Sequence, residues 1–153
     1  MPLDLAAALP QLLPKAIAWA EAQAAQGAAS GQPLSQSDLE LARGVGVTRP
    51  ELIRVVLVDA LPMPQDPALQ TAAVQTGLLG PGMVGLTLGH AVFICRGHET
   101  VRLLSHECRH VHQYEQAGSI GAFLPGYLQQ IVQSGYANAP LEADARAHER
   151  VDP

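Results

Sequence analysis

Apolar positions recur along the chain with two periods, and the change of period separates helices from strands. From Pro10 to Gln26, Leu13, Ile17 and Ala20 fall three or four apart, which predicts a helix with one buried face, ended by Gly27. The stretch GAASGQPLSQ has no periodicity and reads as a linker. This divides the chain into residues 1–34, a helix with its linker, and a main domain over 35–153. Ser37 is placed to cap a short helix through Arg43. Arg54 to Asp59 (RVVLVD) is β-branched enough for a buried strand, which Pro62, Pro64 and Pro67 end. Two apolar runs, Val84 to Leu88 and Ala91 to Cys95, flank Gly89-His90, a two-residue connection that suits a β-hairpin. Helical spacing returns from Thr100 to Gln116 and stops at Gly118. Ser119 caps a helix over Ile120 to Gln133 with an early kink at Pro125, and Pro140 opens a last helix to about Arg150 behind a cap at Asn138. The expected class is a small α+β domain.

The 100–116 helix carries the chemistry. Val101, Leu104, Cys108 and Val111 share one side at about 100° per residue, and His106 and His110 point roughly 160° away. One face can be buried while the other lines a cleft. The histidines belong to His106-Glu107-Cys108-Arg109-His110, an H-E-x-x-H in which residues four apart stand one turn above each other and can reach one metal ion. Glu107 is rotated to the flank, where it can act on a metal-bound water as general base. Cys108 lies on the apolar stripe and is read as core.

A catalytic Zn2+ takes three protein ligands and keeps a fourth position for water. Glu142, in the first turn of the last helix, is the favoured third ligand. Asp144 and Glu149 are rivals, with His112 and His148 behind them. Tyr136, in the turn before that helix, is a candidate donor to the oxyanion formed when water attacks a carbonyl. Tyr114, Phe123 and Tyr127 are expected to pack between helices.

The segment LLSHECRHVHQYEQAG, followed by FLPGYL, GY and PLEADA, resembles the zincin metallopeptidases, and within them compact bacterial domains of the gluzincin group. The resemblance spans about residues 50 to 150. It implies a short twisted mixed sheet above the active-site helix, with a hairpin edge strand that pairs with an extended peptide substrate, and a C-terminal helix bearing the ligand glutamate. Mapped here, the edge strand is 84–88, and 35–153 is the catalytic domain. The implied activity is zinc-dependent peptide-bond hydrolysis, probed against the alternative of an inactive zinc-containing protein-binding module. The chain departs from the better-known members at Arg146, where those enzymes carry an aspartate that orients a metal-binding histidine, so that support must come from elsewhere.

Composition narrows the partners. Apolar residues make up 48% of the 153 and aromatic ones 4%, so the core is aliphatic. The net charge is −5, and the nine basic residues are scattered, which argues against nucleic acid. Asp4, the absence of an early cation, and Pro10 and Pro14 argue against a signal peptide, and no apolar run approaches the roughly 20 residues of a membrane span. Two cysteines do not make a disulfide scaffold. A monomeric, cytoplasmic protein is the expectation.

Overall fold

The computed structural model describes residues 3–151. Among them, six α-helices and three strands form a small α+β domain: α1 (Leu5–Ser30), α2 (Gln36–Gly44), β1 (Arg54–Val58), α3 (Pro67–Gln75), β2 (Gly85–Leu88), β3 (Ala91–Cys95), α4 (Val101–Ala117), α5 (Ile120–Ser134) and α6 (Pro140–Ala147). No helix among these residues is long and apolar enough to cross a membrane.

The sheet is mixed, in the order β1-β3-β2. β1 runs parallel to β3 from Arg54 opposite Ala91 to Val58 opposite Cys95, and β2 runs antiparallel to β3 from Gly85 opposite Ile94 to Leu88 opposite Ala91. Central β3 is buried on both faces, and its alternation feeds two cores. Ala91 and Phe93 pack with Ala20, Leu86, Tyr114, Phe123 and Tyr127. Val92 and Ile94 pack with Ile53, Val45, Leu104, Cys108 and Val111. The apolar stripe of α4 belongs to the second core. The hairpin turns at Gly89, whose φ of 66° is the left-handed conformation such a turn needs.

Several boundaries differ from the sequence expectation. α1 begins at Leu5, capped by Asp4, and runs through Pro10, Pro14 and Gly27. Both prolines are exposed and four apart, so the carbonyls they leave unpaired face water and the helix survives. Gly27 is a contact and not a stop: a Cβ there would stand 2.9 Å from the Ala91 Cβ, so glycine lets α1 lie against the sheet. The expected linker is partly ordered, with Gln32 bridging Val55 through two backbone hydrogen bonds of 2.8 and 2.9 Å. Through Ala20 and its neighbours, α1 shares the core with α5 and the strands.

α2 is capped by Ser35, which accepts from the Asp38 amide, in place of Ser37. The sequence expectation contains no counterpart to α3. Asp66 caps it and Pro67 occupies its first turn, so a proline that follows a strand also starts a helix. α6 ends at Ala147, and Asn138 does not cap it. Gln130 of α5 accepts the Leu141 amide at 3.0 Å and does that work from across the helix pair.

Candidate metal centre

α4 is framed by side-chain chemistry at both ends. Thr100 accepts the Leu103 amide, and Gly118 at φ 99° turns the chain back on the Tyr114 carbonyl. Within this frame His106 and His110 present their Nε2 atoms on one face. α5 and the turn at Gly135 return the chain so that the first turn of α6 sets Glu142 against that face. Glu142 is 1% exposed, a burial that an ionised carboxylate sustains only with partners. His110 Nε2 lies 2.9 Å from its Oε2, His106 Nε2 lies 3.3 Å from its Oε1, and the Tyr127 hydroxyl donates to Oε2 at 2.7 Å.

The ligand atoms of His106, His110 and Glu142 all lie within 4.8 Å of one another. Two ligand bonds of about 2.1 Å at a tetrahedral angle span roughly 3.4 Å, close to the carboxylate-to-histidine separations, and two imidazoles with one carboxylate are a common donor set for a divalent ion. This buried group could hold a metal ion.

Each imidazole is oriented from its other nitrogen. His106 Nδ1 donates to Glu149 Oε2 at 2.8 Å, and His110 Nδ1 donates to Gln113 Oε1 at 2.8 Å. Gln113 has its amide orientation set in turn, because its nitrogen donates to the Leu141 carbonyl and to Asp144, both at 2.9 Å. Asp144 is gripped by the Arg109 guanidinium through two contacts of 2.8 and 3.2 Å, and Arg109 also reaches the Val45 carbonyl. With Nδ1 committed as a donor, Nε2 is the nitrogen left for the centre.

The rival ligands are therefore accounted for. Glu149 sits behind His106 and orients its ring through Nδ1. Asp144 is held by Arg109 and Gln113, His112 faces the Gly46 carbonyl, and His148 faces the Asp144 carbonyl. His90, in the hairpin turn, meets Glu115 at 3.0 Å. Cys95 and Cys108 are free thiols, and burial first, then Glu107 and Asp38, pushes Cys108 up to about 12, as expected of a core residue.

The charges respond to this packing. Burial works to lower the His106 pKa, but Glu142, Glu107 and Glu149 outweigh it and hold it up at about 9. His110 is likewise raised, with burial opposed by Glu142 and Glu107. Glu142 moves the other way: burial would raise it, yet His106, His110 and Tyr127 hold it well below the usual carboxylate range. Burial and Glu142 push Tyr127 and Tyr136 far up, so both keep their hydroxyl protons.

Glu107 lies beside this group, 4% exposed. The Thr87 hydroxyl on β2 donates to its Oε1 at 2.7 Å, and a Cβ at Gly85 would stand 2.8 Å from its Oε2, so glycine makes room for the carboxylate. Two cavities meet at Glu107. An open groove of about 240 Å3 includes Val84, Leu103, His106, Tyr136 and Glu149 in its walls. A narrower apolar chamber of about 80 Å3 lies on the other side, with His110 and Glu142 at its rim. Tyr136 borders both. Thr87, Gln113, Tyr127 and Gly85 are the site residues that sequence reasoning misses. Of these only Gln113 had a usable signal, being one turn from His110 on the same helix. No family model, curated protein or solved structure matches this chain.

Proposed function

We propose that the chain is a zinc-dependent peptide-bond hydrolase of the gluzincin type with Glu107 as its general base. The observation that carries the reading is the placement of the Glu107 carboxylate beside the His106, His110 and Glu142 group, outside it, and at the junction of the two cavities. His106, His110 and Glu142 would hold the zinc, which supplies Lewis-acid polarisation of a water and of the scissile carbonyl.

The chain's own residues account for the rest. With Oε1 of Glu107 fixed by Thr87, Oε2 is the atom that takes a proton from the attacking water and later delivers it to the leaving amine. Tyr136, held as a neutral phenol, donates to the oxygen on which charge develops. β2 lies at the sheet edge, and its unpaired backbone groups suit an extended peptide laid beside residues 85–88. Glu149 and Gln113 keep the two imidazoles aimed throughout.

Turnover of a mixed peptide library by the purified protein, abolished by a chelator and restored by zinc, is the direct test. Glu107→Gln should retain one equivalent of zinc and lose hydrolysis by about 10²–10⁴-fold, the usual range for a general base. Full activity in that variant would end the reading.

A further inference from the structure

The apolar chamber beside Glu107 does not stand alone. A second apolar cavity, of about 100 Å3, lies between α1, α3 and α5, and the two share Ala16, Trp19, Leu78, Leu79 and Leu128 as wall residues. Along α1 the lining begins at Ala20 beside the metal centre and continues through Ala16, Leu12 and Leu9 to Leu5, about 22 Å of helix axis at 1.5 Å per residue. The two cavities therefore lie side by side along α1, with these shared side chains between them. Alanines at 16, 20, 72 and 73 keep their walls short where larger apolar residues would fill them. The one hydroxyl in the second cavity, that of Thr76, is already committed to the Ala72 and Ala73 carbonyls. The Trp19 indole N–H is the other side-chain donor among its wall residues. Unfilled apolar volume weakens a fold in proportion to its size, and dry apolar cavities of comparable size take up apolar molecules.

We propose that these neighbouring chambers, opened to each other as the side chains between them give way, together seat a linear aliphatic chain carried by the substrate, with the scissile carbonyl at His110 and Glu142 and the tail lying along α1 past Trp19. Assigning that chain to a substrate rests on the hydrolase reading; its binding does not. α1 contributes to the walls of both chambers, so the N-terminal helix is a recognition element of the site.

Trp19 is the single tryptophan of the chain, and its fluorescence reports entry into either chamber. The full-length protein, zinc-loaded and chelator-treated, is titrated with 1-alkanols from butanol to tetradecanol. The dissociation constant should fall roughly fourfold per added methylene until both chambers are filled, then level. Ala73→Leu, which touches only the second chamber, should move the plateau to shorter chains and leave butanol binding unchanged. Ala16→Leu, in the shared wall, should weaken the long alkanols about tenfold or more. Melting curves establish that each variant is folded. No dependence on chain length, or a plateau that neither folded variant moves, overturns the proposal.

Amides of linear fatty acids are compared with peptides bearing Leu or Phe at the scissile bond. Faster turnover of long acyl amides supports the proposal, while a preference that saturates at Leu or Phe overturns it, since those side chains fill only the first chamber. Chain-length-dependent binding with no hydrolysis of any amide leaves the chain site standing and removes the hydrolase reading.

Discussion

The two sides of the candidate metal centre are built by opposite means. Facing α6, every donor and acceptor is tied: Glu149 to His106, Gln113 to His110, Asp144 and Arg109 behind Gln113, Tyr127 to Glu142. Facing α1, the contacts are mostly apolar, aliphatic and aromatic together, and unfilled space remains between them. Hydrogen bonds are directional and leave these side chains one arrangement, whereas apolar contact tolerates many. The α6 side therefore sets where an ion could be held, and the α1 side sets what shape could lie beside it.

Exchanging parts between the two sides is the way to break this contrast. The largest effect belongs to Glu142→Ala, which should abolish stoichiometric zinc retention after dialysis, as read by elemental analysis. Leu12→Ala on the α1 side should instead cost about 2–5 kcal/mol in denaturant unfolding, in line with large-to-small core changes, and leave zinc affinity unchanged. A loss of zinc affinity in that variant would show that the two sides are coupled. Next come Glu149→Ala and Gln113→Ala, each expected to weaken zinc about 10–100-fold in competition with a chromophoric chelator while retaining most of the stability.

The pH dependence sharpens the same point. His106 is raised from 6.5 to about 9, so its contribution to the stability of chelator-treated protein is complete below 6.5 and is lost as pH climbs toward 9. Glu142 is lowered from 4.5, so its contribution is present above that value and fades as pH falls through its lower folded pKa. Melting temperature should therefore peak between about 4.5 and 6.5 in the chelator-treated protein. Zinc should move the optimum upward and release protons on binding near neutral pH, measurable by calorimetry in buffers of different ionisation enthalpy. The smallest effect lies away from the centre. Glu115 accepts from the Thr48 and Arg49 amides and pairs with His90, and Glu115→Gln should cost about 1–2 kcal/mol in denaturant unfolding.

Much of the fold is legible locally. The hairpin, α4 and α5 carry their turns, caps and periodicity in adjacent residues, so no distant contact is needed to place them. α1 and α3 are less legible because proline and glycine carry more than one meaning. Pro10 and Pro14 interrupt nothing when their orphaned carbonyls face water, Pro67 opens a helix when Asp66 precedes it, and Gly27 marks a close approach. In the site, the spacing of His106 and His110 puts them on one helical face whatever lies around them. Their partners on Nδ1 do not follow from spacing, because Glu149 is reached only after α5 and α6 have packed. Thr87 and Tyr127 read as strand and core residues until the fold brings their hydroxyls to Glu107 and Glu142.

The central position of β3 also has a consequence for how the chain folds. Its pairing with β2 closes over a two-residue turn, and α4 follows directly, so the hairpin and the helix that bears the histidines can assemble from neighbours in sequence. Pairing with β1 must join residue 54 to residue 91 in parallel, and the Gln32 bridge to β1 must wait for that strand to dock. Loop closure makes such distant pairings slow. Pulse-labelled hydrogen exchange should find amides of β2, β3 and α4 protected before those of β1, with α1 closing over the apolar chambers last.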